Sequence, residues 1–395
     1  MNHELLQTLI IPDDLIFDHI LPRLPVKSLI RFKSVCKNWY NLISTCEFAK
    51  HHLQFSSISP HFLISKFIAN NTGNWRDFYL LSYDEHNKNL EDLVQLDAQL
   101  SYTMRKPTEI GCSNGLICLY FSENRYNVNS FALWNPCIRK YRKISTPSGK
   151  WLCKCGFGYA LALDDYRIFA AFCPYEEDDS LDKSRTQFWV FSLRVGKWKQ
   201  IEFSSGEDDL IKSEGIVKGV FAGDSLYWYV FKSGGSFQQR VVCFNLVDEK
   251  CREILVTVSP SEYIDFDCYE MKWCLSLLCR AHDQSYGVWI LKQQDGNDSW
   301  EKLFSMPFTV GKDLLAFSPA GLCLVKHLQQ LKLVDPTLEE LEDSQGQKRQ
   351  LKLIEHATVM YFDDGVYLKR HLKLVDRVIE DLNMPISPFV LGWIA

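Results

Sequence analysis

Apolar and polar positions follow two different periods along this chain, and the change falls near residue 58. Over 11–53 the spacing is helical. Leu15, Ile16 and Ile20 recur a turn apart behind Pro12, Asp13 and Asp14, residue types suited to a helix N-terminus. Pro22 is expected to stop that run. A second helix opens at Pro25 and carries Leu29, Ile30 and Phe32. A third carries Val35, Cys36, Trp39, Leu42 and Ile43 at i, i+1, i+4, i+7 and i+8. A segment of roughly 40 residues is too small to bury so much apolar surface within itself. The excess must meet either the remainder of the chain or a separate protein.

Beyond Ser56-Ser57-Ile58-Ser59-Pro60 the helical stripes end, and short apolar runs alternate with turn residues, as strands do. FLISKFI from Phe62, FYLLSY from Phe78, GLICLYF from Gly115, FALW from Phe131 and RIFAAF from Arg167 read as strands. So do FWVFSL from Phe188, SLYWYVF from Ser225 and VVCFNL from Val241. An internal repeat says more than any one of these. A strand, a turn and an apolar–charged–charged–apolar tetrad recur, with the tetrads aligning as Tyr141/Ile144, Trp198/Ile201, Cys251/Ile254, Trp300/Leu303 and Leu338/Leu341 and mostly charged residues between. Weaker copies lie at Tyr79–Leu93 and Leu372–Leu382. Starts spaced about 40 to 60 residues apart have the period of propeller blades. Small-residue turns such as Ser113-Asn114-Gly115 lead into further strands and bring each unit to about four strands. The fold class expected is therefore α+β and multidomain: a small three-helix segment (8–55), then an all-β propeller-like domain (60–395) of six or seven blades. An ordinary β-sandwich with coincidental spacing is the alternative.

Composition narrows the function classes. Of 395 residues, 46% are hydrophobic and 24% charged, a globular rather than a disordered balance. The net charge of −5 gives no general attraction to nucleic acid. No basic patch with interleaved aromatics stands out along the chain, which leaves only one assembled in three dimensions. The N-terminus lacks the basic and apolar segments of a signal peptide, and no apolar run approaches the ~18 residues of a membrane helix. With no export signal, the 14 cysteines read as reduced, mostly buried thiols, and the expected compartment is cytosol or nucleus.

Candidate chemistry is sparse. Cys153-Lys154-Cys155 places two thiols two residues apart, on one side of a strand. A zinc site takes four ligands, however, and no second pair follows, so core cysteines are the expectation. Gly156-Phe157-Gly158-Tyr159 opens like a dinucleotide fingerprint, but Leu161 replaces its third glycine; a turn or tight packing is the expected role. His51-His52 reads as the end of the helical segment. The acidic clusters Glu176-Glu177-Asp178-Asp179 and Glu207-Asp208-Asp209 read as solvated loops that would attract a basic target only at short range. The sequence contains no phosphate loop, paired-histidine zinc motif or nucleophile elbow. The expectation is a non-catalytic chain with no cofactor and no metal; a propeller oxidase or hydrolase is the enzymatic alternative.

Three linked stretches carry a family resemblance: Pro12 to Leu15, Leu24-Pro25-Val26-Lys27-Ser28-Leu29, and Val35-Cys36-Lys37-Asn38-Trp39. Together they resemble an F-box, with Ile11 and Tyr40 as mild departures. GCSNGLICL, LWNPCIRKYRKI, GFGYALALDDYRI and VWILKQQDGNDSWEKLF, in that order, are similar to the F-box-associated, kelch-like domain of plant F-box proteins. The first resemblance implies docking on the Skp-family adaptor of a cullin–RING ubiquitin ligase. Pro12, Leu15, Ile20, Leu24, Pro25, Leu29, Val35 and Trp39 would form or support the contact surface. The second implies that the β domain captures a target protein for ubiquitination. A module that binds the adaptor without delivering targets is the alternative, and neither resemblance identifies the target.

Overall fold

The computed structural model describes residues 11–52 apart from 25, 46, 49 and 50. It also describes 61–362 apart from 71–72, 85–86, 88, 97–106, 123–128, 137–138, 148–150, 175–184, 204–216, 232–238, 259–262, 272–273, 284, 295–296, 307–313, 319–320, 328–329 and 335–356. The chain divides into two compact units, one of which is Ser59–Leu368. The repeat copies at Leu338/Leu341 and Leu372–Leu382 lie outside the described residues.

In the other unit, the first helical run is not the α-helix its spacing predicts. Leu15–Ile20 forms an i→i+5 turn closed by the Leu21 N–H on the Ile16 carbonyl. Pro22 does not stop the chain there. It sits near the start of a 3₁₀ turn, Leu21–Arg23, where a missing N–H is harmless. The break comes at Leu24, which is extended (ψ 148°) because the residue before a proline is pushed out of the helical region. Two α-helices follow, α1 (Val26–Phe32) and α2 (Lys37–Ile43). Cys36 caps α2, its Sγ accepting the Trp39 N–H at 3.4 Å.

The second unit is a β-propeller. Its strands in chain order are β1 (His61–Asn70), β2 (Gly73–Asp84), β3 (Asn89–Leu96), β4 (Thr108–Ser113), β5 (Leu116–Phe121), β6 (Ser130–Asn135) and β7 (Lys140–Ser145). There follow β8 (Trp151–Ala160), β9 (Asp165–Cys173), β10 (Gln187–Ser192), β11 (Lys197–Ile201), β12 (Val217–Lys218), β13 (Val220–Ala222), β14 (Ser225–Phe231), β15 (Gln239–Asn245) and β16 (Cys251–Leu255). The last are β17 (Tyr263–Met271), β18 (Cys274–Ala281), β19 (Tyr286–Gln294), β20 (Asn297–Met306), β21 (Leu314–Phe317), β22 (Cys323–His327), β23 (Gln330–Val334) and β24 (Ala357–Phe362).

Among the described residues these strands make six sheets: β24-β1-β2-β3, β4–β7, β8–β11 with β12 added beside β8, β13–β16, β17–β20 and β21–β23. Consecutive strands pair antiparallel as meanders. The β4–β5 turn shows why Asn-Gly is needed there: Asn114 and Gly115 have φ of 46° and 76°, and a two-residue hairpin turn of this kind needs positive φ at both places. One strand at or next to the edge of each sheet lies against its counterpart in the next: β24 on β4, β4 on β8, β8 on β13, β13 on β17, β17 on β21, and β21 back on β24. The ring is closed by β24, which pairs antiparallel with β1 from the other end of the domain, with Leu63 opposite Met360.

Apolar side chains between sheets form the core. Phe169, Trp228 and Phe244 meet between the β8–β11 and β13–β16 sheets, with ring centroids 4.7 to 5.2 Å apart. Ile254, Leu275 and Leu277 fill the next gap, and Phe78, Ile117 and Trp134 the gap between the first two sheets. Described tetrads fall on outer strands, and two of their tryptophans act across sheets. Trp198 Nε1 donates to the Ser145 carbonyl at 2.8 Å and Trp300 Nε1 to the Leu255 carbonyl at 2.9 Å. In both cases the acceptor is the residue just after the closing isoleucine of the preceding tetrad. The tetrad of β16 has Cys251 in the tryptophan position, and charged groups make that link instead. Glu249 binds Arg167 at 2.8 Å and Lys199 at 2.5 Å.

Candidate functional site

The helical unit holds a small core of its own. Leu21, Leu29, Ile43 and Phe48 are buried, with Ile16, Phe17, Leu24, Phe32, Trp39 and Leu42 packed around them. Trp39 and Phe32 meet edge to face at 5.4 Å. Of the eight residues expected at a docking surface, three belong to this core or pack on it: Leu29 is 1% exposed, and Leu24 and Trp39 are half-buried. Pro12, Leu15, Ile20 and Val35 stand in solvent. Pro25 lies outside the described residues. An i→i+5 turn brings residues five apart toward one side of the helix, where an α-helix would separate them. The irregular turn thus sets Leu15 and Ile20 nearer to each other than regular spacing would.

Exposure is what distinguishes this surface. Leu15 is 46% exposed, Val35 59% and Tyr40 56%, and Ile11 and Ile20 are exposed as well. These are five of the nine large apolar side chains exposed among the described residues, although the segment is a small part of the chain. Interaction sites of proteins commonly concentrate exposed apolar side chains.

His52 is a residue whose role the sequence did not reveal. It is buried against Phe48, and its Nε2 lies 2.8 Å from the Leu24 carbonyl. A carbonyl only accepts, so Nε2 carries the proton. Burial lowers the His52 pKa below the ordinary histidine value, against the raising effect of that carbonyl. The imidazole thereby pins the extended Leu24 at the break between the first turns and α1.

In the propeller, the chemical candidates resolve into packing. A bulge between Leu152 and Lys154 inserts Cys153 out of register. Cys153 and Cys155 are therefore not on one side of β8, as simple alternation predicts, and do not converge on a metal. The Cys153 Sγ lies 2.8 Å from that of Cys173, in the core shared with the β13–β16 sheet. Cys155 faces Cys118 instead, and burial pushes its thiol up to about 12. A methyl group on Gly156 would come within 2.6 Å of Leu226, and one on Gly158 within 2.2 Å of the Phe221 ring. Close approach of two sheets is what these glycines provide; they do not cradle a phosphate. Among the described residues, no group of three or more His, Cys, Asp or Glu is placed to hold a metal ion.

Comparison with known proteins bears on both units. Residues 9–51 match the F-box domain family, and residues 67–336 match the family described as the F-box associated beta propeller domain. The chain belongs to the F-box associated beta propeller family. An F-box/kelch-repeat protein of Arabidopsis thaliana is 25% identical over 309 residues, covering 73% of this chain and 78% of its own length. The Arabidopsis thaliana F-box protein CPR1 is 29% identical over 330 residues, covering 75% of this chain and 73% of its own. In both units the exposed and buried patterns now have distinct meanings: an F-box with solvent-facing apolar residues, and a propeller whose strands satisfy one another around a ring.

Proposed function

We propose that this chain is the target-recognition subunit of an SCF-type ubiquitin ligase. Its F-box docks on a Skp-family adaptor, and its propeller, with the six sheets as six blades, captures a protein for ubiquitination. The observation that carries this reading is a helical unit that keeps its own core of Leu21, Leu29, Ile43 and Phe48 and still presents Leu15, Ile20 and Val35 to solvent. The chain performs no bond chemistry in this scheme. It raises the local concentration of target near a charged ubiquitin carrier. Family membership supports the division of labour between the two units.

The test is co-purification of the intact chain with a Skp-family adaptor. Leu15→Asp and Val35→Asp place charges on exposed positions and are expected to abolish capture while leaving the helical unit folded. Capture that survives both changes, or an intact chain that never retains an adaptor, would overturn the reading.

A further inference from the structure

The outer strands of two neighbouring sheets carry a single sign of charge. The segment 139–145 supplies Arg139, Lys140, Arg142 and Lys143, and 193–201 supplies Arg194, Lys197 and Lys199; neither contains an acidic residue. These segments are 48 positions apart along the chain, from Ser145 to Leu193, yet they touch. Trp198 of β11 donates to Ser145 of β7, its ring lies 5.7 Å from Phe131, and a methyl group on Gly196 would sit 3.2 Å from an Arg142 guanidinium nitrogen. Lys199 is drawn aside to Glu249. Lys140, Lys143, Arg194 and Lys197 are exposed, and among them Val195 and Tyr141 present apolar surface, at 67% and 38% exposure.

Protection of a free sheet edge does not account for this. Charged side chains guard such edges, but either sign serves: β3 carries only the acidic Glu91 and Asp92, and β16 and β20 mix the signs. On β16, Arg252 pairs with Asp298 and Glu253 with Arg240. On β20, Glu301 lies 3.6 Å from Lys292. β7 and β11 stand apart as two adjacent outer strands whose only charges are basic, in a chain whose net charge is −5.

We propose that this basic rim seats an acidic polypeptide segment of the captured protein, its carboxylates or phosphates facing the lysines and arginines and its apolar side chains meeting Val195 and Tyr141. The inference rests on the target-capture reading and names the chemical class of the target. A polypeptide fits better than nucleic acid. Single strands are bound by stacking successive bases on several open aromatic faces, whereas this rim exposes one, Tyr141; Trp198 has its N–H on Ser145 and its ring against Phe131 and Phe191. The negative charge of the remaining chain also opposes a long polyanion.

The experiment uses the full chain and a fluorescein-labelled peptide of mixed glutamate, phosphoserine and leucine. A second peptide has glutamine and serine in place of the charged residues, and the read-out is anisotropy. The acidic peptide is expected to bind and the neutral one to fail, with affinity falling as salt is raised. The triple variant Lys140→Glu, Lys143→Glu, Lys197→Glu is expected to weaken binding on the order of tenfold or more, since exposed pairs are individually modest and three are reversed at once. Lys→Gln at the same three positions, with thermal melting as a fold check, is expected to weaken it several-fold. Adaptor capture by either variant is expected to match the parent chain, so failure at the rim leaves the ligase reading intact, and failure of adaptor capture strikes that reading alone. Equal binding of both peptides, full binding by the triple variants, or tighter binding of a single-stranded oligonucleotide of equal charge would each overturn the proposal.

Discussion

The tryptophan bridges between outer strands permit a quantitative test. Replacing Trp198 by Phe removes the Nε1 donor to Ser145 and the outer part of the ring, while the contacts with Phe131 and Phe191 at 5.7 and 5.2 Å keep an aromatic partner. The hydrogen bond contributes about 0.5–1.5 kcal/mol net. Ser145 is exposed, so water can take over its carbonyl, and the low half of that range applies. The half-buried ring loses roughly 20–30 Å² of apolar contact, or about 0.5–0.8 kcal/mol at 25 cal/mol per Å². The expected destabilisation is thus roughly 1–2 kcal/mol, and Trp300→Phe, with its bond to Leu255, should cost about the same. The two bridges join different pairs of sheets, so the double variant should be additive within about 0.5 kcal/mol. Urea titration followed by the far-ultraviolet strand signal reads this directly. With a slope near 3 kcal/mol per molar, each single variant shifts the midpoint by roughly 0.3–0.7 M and the slope stays unchanged. A neutral Trp198→Phe, or a double variant far from the sum, would refute the idea that the tetrad tryptophan links one sheet to the next.

Other consequences are open to measurement. Gly158→Ala forces a methyl group into the Phe221 ring, and overpacking of this kind is expected to cost about 1–3 kcal/mol, read as a lower urea midpoint. His52 has a depressed pKa in the folded chain, so it contributes stability above the ordinary histidine value that is lost as pH falls through the folded one. Melting of the helical unit, followed by circular dichroism, should therefore weaken on acidification from pH 7.5 to 5. His52→Phe should flatten that dependence. Leu29→Ala is expected to unfold the helical unit by about 2–5 kcal/mol, whereas Leu15→Ala should leave melting nearly unchanged and weaken adaptor capture.

Much of the architecture could be read in the chain because propeller sheets are built from local meanders. A strand, a turn and the next strand are neighbours in sequence, so FALWNPCIRKYRKI carries both halves of the β6–β7 pair and its tetrad falls on the outer strand. The F-box was legible for the same reason. What was hidden depends on meetings between distant segments or on single-residue irregularities. Alternation put Cys153 and Cys155 on one side of β8; one bulged residue separates them. Helical spacing made Leu15–Ile20 an ordinary turn; an extra residue in its hydrogen-bonded ring changes which side chains align. His52 looked like a terminus because its partner, Leu24, is 28 residues away. The basic rim was invisible because neither segment alone contains it.

The strand that closes the ring has a bearing on synthesis. β24 pairs with β1 across about 300 residues of intervening chain, and a ribosome adding about 5–20 residues per second takes roughly 15–60 s to traverse that distance. Until β24 emerges, the edge of β1 stays bare, and a bare edge is a template for pairing with the wrong chain. In the proposed scheme, termination between the F-box and β24 would release a product that still occupies adaptors while its ring stays open. Such a fragment would compete with the intact subunit, so premature stops in this coding sequence should behave as dominant-negative alleles when expressed alongside it.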